Sequence, residues 1–204
     1  MRFPFLAPAT ALVLAFAVSG CTGKTGEYAG RGAGVGAISG AVGGFVTAAI
    51  FGGNPVEAAA RSTVYGVAAG ATAGAISGAS ADAQQEETFR AAQQEKQDRI
   101  RAKIGDDAFA GLTALAKCDH ATALSNAATA TGSSNADYAL AGLWLEAITY
   151  SDQAREDTAR GLYPDIIAAD PKIDDTTGAE ARRRELVEGL TRIRGEYDLP
   201  TVCA

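Results

Sequence analysis

The sequence predicts an all-α fold. Three observations carry that expectation. Glycines recur every fourth residue in two combs, the apolar residues of the last hundred positions fall at helical core spacing, and no segment reads as a strand.

The first comb is Gly32, Gly36, Gly40 and Gly44, and the second is Gly66, Gly70, Gly74 and Gly78. On an α-helix a four-residue spacing lines such positions along one slowly turning stripe. A stripe without side chains is a poor hydrophobic face, but it admits another helix backbone at close range, the small-xxx-small logic of membrane helices. Both combs carry the string Gly-Ala-Ile-Ser-Gly-Ala, at 36–41 and 74–79. Folding the chain back at Gly53 sets Gly40 level with Gly66, Gly36 with Gly70 and Gly32 with Gly74, and puts Gly44 opposite small Ser62. The eight glycines are therefore the expected packing positions of one helical hairpin over 32–81. Gly52 and Gly53 permit the reversal. Asn54 suits an N-cap, Pro55 the first helical position and Glu57 the capping-box acid.

Residues 1–20 read as a targeting signal. Arg2 is their only charge, Ala11–Val18 is a short apolar core, and the small residues Ser19 and Gly20 precede Cys21. The apolar run is too short to span a bilayer. Val18-Ser19-Gly20-Cys21 resembles the lipobox of bacterial lipoproteins, with Val18 where Leu is usual. That resemblance implies diacylation of the Cys21 sulfur, removal of the preceding peptide and acylation of the new amino group, palmitate being the expected kind of chain. Several such chains would hold the protein on a membrane, since each buried methylene contributes about 0.8 kcal/mol. Thr22, rather than Asp, after the cysteine implies export to the outer membrane in the lipoproteins it resembles.

Residues 21–31 form a polar tether. The stretches 32–51 and 62–81 each hold twenty residues without a charge, about 30 Å of helix. Gly, Ala, Ser and Thr dominate them, so they read either as a membrane hairpin or as a tightly self-packed helical pair. Marginal hydrophobicity would let them pass a translocon that stops Leu-rich spans. Together with Cys21, the combs resemble the glycine-zipper domains of bacterial outer-membrane lipoproteins and surface antigens, over about a third of the chain. The resemblance implies a membrane-associated, often oligomerising envelope protein without catalysis.

Residues 82–104 carry five basic and five acidic groups and no Gly or Pro. Ala-Gln-Gln-Glu occurs at 83 and at 92, an offset that turns the copies to opposite faces. Phe89, Ile100 and Ile104 are too sparse for heptads, so a solvated helical stalk is expected rather than a coiled coil.

From 105 to 204 the chain reads as a helical domain placed in the periplasm. Helices are expected over 106–117, 120–130, 135–151, 152–169 and 178–197. Gly132-Ser133-Ser134 and Asp170-Pro171 act as punctuation, and Thr177-Gly178-Ala179-Glu180 reads as a capping box. Leu140, Leu143, Trp144, Ala147, Ile148, Leu162, Ile166, Leu186, Leu190 and Ile193 are the expected core. Tyr150, Ala159, Tyr163 and Pro171 match spacings of the tetratricopeptide repeat, but Glu146 falls on an apolar position and no second unit follows. Generic helix pairing accounts for the match.

The domain carries nine basic and 17 acidic groups, which excludes a nucleic-acid partner. Cys118 and Cys203 are the cysteines left besides Cys21, and in an exported chain they predict a disulfide. The competing metal site has only two cysteines and His120, a poor ligand set, so no metal is expected. A Cys118-His120-Asp119 triad fails because adjacent helical residues point in different directions and the bridge consumes the thiol. Asp106-Asp107 and Asp174-Asp175 read as acids complementing helix N-termini rather than a cation site. No phosphate loop or other cofactor motif follows from the glycines.

No enzyme is expected. Two function classes stand: a structural envelope lipoprotein whose zipper packs with membrane lipids or self-associates, and a membrane-anchored module that binds a periplasmic protein or peptide. A zipper oligomer forming a pore is a third variant.

Overall fold

The computed structural model describes residues 25–53, 55 and 79–203. The signal segment, Cys21 and the second comb (Gly66, Gly70, Gly74, Gly78) lie outside the described residues. The described chain has eight helices and no strand: α1 (Thr25–Phe51), α2 (Ala79–Ile104), α3 (Asp106–Ala116), α4 (His120–Thr131), α5 (Ala136–Asp152), α6 (Glu156–Gly161), α7 (Tyr163–Ala169) and α8 (Thr176–Glu196). The fold is all-α. No described helix is long and apolar enough to cross a membrane.

Local chemistry sets the helix ends. Asn135 caps α5, its side-chain oxygen accepting from the backbone N–H of Asp137 and Tyr138. Asp175 caps α8, accepting from the Gly178 N–H at 2.8 Å. The expected capping box at Thr177–Glu180 does not form. With the cap at Asp175, Glu180 lies beyond the third helical position and its side chain turns to Arg183 and Tyr163 instead. α1 ends at Phe51, and Gly52 and Gly53 follow with φ of 99° and 149°, backbone that favours glycine. The helix expected over 152–169 is two helices, because Pro164 has no N–H to donate back and opens α7 within its first turn.

Loops of three and four residues fold α3, α4 and α5 back on one another, and small residues set their separation. Gly111 lies against Ala123, Asn126 and Leu145, and Gly142 lies against the Ala127 carbonyl and Thr131. Ala123, Ala127 and Ala130 make the buried face of α4. Trp144 is fully buried and its Nε1–H donates to buried Asp170 at 3.2 Å.

The C-terminal half of α1 packs on α2, α3 and α8. Val42, Phe45, Val46, Ala49 and Ile50 share one hydrophobic cluster with Leu112, Leu186, Leu190 and Ile193. The Phe45 ring fills the space that a side chain at Gly189 would take. Lys172 Nζ donates to the Ile50 carbonyl at 3.2 Å and Arg182 to the Ala49 carbonyl, so two remote cations complement the C-terminal end of the helix. Lys103 stands over the Phe51 ring, 4.4 Å from its centre. This packing runs across residues 104 and 105, where stalk and domain were expected to meet. Ile100 and Ile104 at the end of α2 are likewise buried. Of the first comb, Gly32 and Gly36 fall within α1, Gly40 and Gly44 are buried, and Gly40 faces Gln93 of α2. Off the comb, Gly43 lets Ile100 and Phe109 approach.

Glu180 closes the α6–α8 corner. It accepts from Arg183 at 2.8 Å, Tyr163 Oη at 2.6 Å and Arg184 at 2.7 Å, with Arg160 at 3.4 Å. The Arg183 hydrogen bond first, then that of Tyr163, hold its carboxyl well below the usual carboxylate range. A depressed folded-state pKa contributes stability above the ordinary Glu value of about 4.3 and loses it as pH falls through that range toward the folded value. Glu180→Gln should therefore lower the denaturant midpoint at neutral pH and match the parent in strong acid. A constant difference across the acid limb would contradict the assignment.

Candidate functional site at the Cys118–Cys203 bridge

The antiparallel α4–α5 hairpin brings the first residue of α4 beside the last residue of α5. His120 Nε2 lies 2.7 Å from Asp152 Oδ2. Asp152 also receives a two-pronged guanidinium from Arg194 in the last turn of α8, Nη1 to Oδ1 and Nη2 to Oδ2, both at 2.7 Å. The Arg194 side chain is wholly buried. Its remaining donors reach the Ala116 carbonyl at 3.2 Å and the Leu115 carbonyl, which closes the C-terminal end of α3.

Cys118 sits in the α3–α4 turn at φ 62°, and its backbone N–H donates to the Leu115 carbonyl. The expected disulfide is present, with Cys118 and Cys203 bonded and their Cα atoms 5.5 Å apart. The bridge spans 85 residues and would add about 4–5 kcal/mol in the chain-entropy account. It ties the non-helical segment after Glu196 to the α3–α4 turn, where Cys203 Sγ stands 3.3 Å from Asp152 Oδ2. Burial by itself raises the Asp152 carboxyl. The hydrogen bonds from Arg194 and His120 outweigh burial and hold the group below the usual range. An ionised Asp152 accepts, so His120 Nε2 carries the hydrogen.

The partner of His120 is Asp152 and not the adjacent Asp119. The Asp119 carboxylate instead caps α4, accepting from the Thr122 N–H at 3.1 Å. The hydrogen bond with the Thr122 side chain, then that backbone bond, hold it below the usual carboxylate range. With both sulfurs in the bridge, neither is a nucleophile. Asp106 and Asp107 lie exposed in the first turn of α3, and Asp175 caps α8, as helix-end acids do. Asp152 and Arg194 escaped the sequence reading because neither has a local signal. Each lies in the last turn of its helix, and only the tertiary pairing of α5 with α8 joins them. No protein-family model, curated protein or solved structure matches the chain.

Proposed function

We propose that this chain is a non-catalytic lipoprotein of the bacterial envelope, held in the outer membrane by acyl chains on Cys21. Its helical domain stands in the periplasm and its role is structural or scaffolding. One observation carries the reading: Val18-Ser19-Gly20-Cys21 behind a short apolar core with a single charge, Arg2, ahead of it. The Cys118–Cys203 bridge supports export, because such bonds persist in oxidising compartments.

Packing favours a zipper lying at the membrane surface over one that spans it. Val42, Phe45, Val46 and Ile50, which a spanning hairpin would turn to lipid, are packed against protein. The glycine-zipper likeness then belongs to the rest of α1 and the second comb, where self-association would take place. A peptide-binding module would offer an apolar groove. Among the residues whose side chains are described, Val202 is the exposed large apolar one, which favours the scaffolding role.

Cys21→Ala tests the anchor. The variant should leave the membrane fraction or accumulate unprocessed. Normal processing with unchanged membrane fractionation would overturn the proposal.

A further inference from the structure

Four donor side chains of zinc-binding type meet where the α4–α5 hairpin closes. One ligand atom each from His120, Asp152 and Cys203 lies within 4.8 Å of the others. Cys118 Sγ is bonded to Cys203 Sγ and so belongs to the same cluster. In a tetrahedral zinc site with bonds of about 2.0–2.3 Å, neighbouring ligand atoms stand roughly 3.3–3.8 Å apart. The bonded sulfurs and the His120–Asp152 pair, now 2.7 Å apart, must open to reach that arrangement, while Cys203 Sγ and Asp152 Oδ2 already stand 3.3 Å apart. Residues 198–203 carry no helix, so Cys203 can shift without breaking regular structure.

We infer that the reduced protein binds one zinc ion through Cys118, Cys203, His120 and Asp152. The same cluster would thus hold the C-terminal segment by a covalent bridge when oxidised and by a metal when reduced. The inference does not depend on the lipid anchor. Sequence reading dismissed a metal because it counted three donors; the fold supplies Asp152 as the fourth.

The chemistry balances. A dithiol reductant gives two electrons and two protons to the bridge, the S–S bond breaks, and the reductant becomes a disulfide. Zinc then displaces the two thiol protons. Two thiolate charges and two cation charges enter together, so the net charge of the half-buried cluster is unchanged. Arg194 keeps its bond to Asp152 Oδ1 in both states. Asp152 Oδ2 turns from His120 to the ion, the Nε2 hydrogen of His120 is exchanged through solvent for one on Nδ1, and the bared Nε2 binds the metal, with no net change in its protons. The buried Arg194 guanidinium offsets the single excess negative charge of two thiolates, a carboxylate and a divalent cation.

The test uses the full chain carrying Cys21→Ser, which leaves Cys118 and Cys203 as its only cysteines. After reduction with a phosphine and its removal, the protein is titrated anaerobically with cobalt(II). One equivalent should give a thiolate-to-cobalt charge-transfer band and tetrahedral visible bands, and zinc should erase both. Zinc should also protect the two thiols from alkylation, and the oxidised chain should show none of this. His120→Ala should weaken binding by more than the roughly 10–100-fold that outer-sphere partners contribute. If that variant does not fold, the reduced parent decides, and its unfolding midpoint must rise with zinc. Equal alkylation with and without zinc, or a His120→Ala chain that binds as tightly as the parent, would overturn the site.

Discussion

Phe45→Ala should destabilise the helical domain by about 3–5 kcal/mol, read as a shift in denaturant midpoint under oxidising conditions. Phe45 is only 3% exposed, and its ring lies in the hollow left by Gly189 of α8. Emptying that hollow removes an aromatic from a site that rigid helices on several sides cannot refill. The reciprocal change is as informative. Gly189→Ala places a methyl group into the ring and should cost roughly 1–3 kcal/mol, as overpacking does. Joined to Phe45→Leu, the same change should cost less than the sum of the two single effects. A glycine-rich arm that merely tethered the domain would leave the domain's stability unchanged in all three variants.

Arg194→Met should be comparably severe, about 3–5 kcal/mol, because it takes the two-pronged guanidinium from a nearly buried carboxylate and leaves it only the His120 hydrogen bond. The loss has two parts. Asp152 is stripped of its guanidinium, and the Leu115 and Ala116 carbonyls at the end of α3 lose their donors. The double variant Arg194→Met with Asp152→Asn should lose less than the two single losses combined, since no buried charge is then left without its partner. Fully additive losses would show that the two side chains act independently, contrary to the geometry.

Much of the C-terminal architecture was legible because its signals are local. The spacing of Leu140, Trp144 and Ile148 marks α5, and Gly132-Ser133-Ser134 marks the loop before it. The disulfide followed from arithmetic on three cysteines in an exported chain. Nearby competition decided the misses. Asp175 outcompeted the capping box two residues further on, and Pro164 divided a helix whose apolar spacing continues through it. The docking of α1 was hidden for a different reason. The glycine stripe points to a partner in the second comb, and nothing in the apolar residues Val42, Phe45, Val46, Ala49 and Ile50 on the same helix says what they pack against. Their partners on α8 are distant in sequence, and the Phe45–Gly189 fit leaves no trace in either segment alone. Gly111 and Gly142, which set the spacing of α3, α4 and α5, lack the four-residue rhythm that made the combs visible.

The envelope reading rests on Cys21, and the intact mass of the protein extracted from bacterial membranes tests it most directly. The account predicts a mature chain that begins at Cys21, carries acyl groups on the sulfur and the amino terminus, and retains the Cys118–Cys203 bridge. A membrane-extracted chain that begins elsewhere, with Cys21 unacylated, would contradict it.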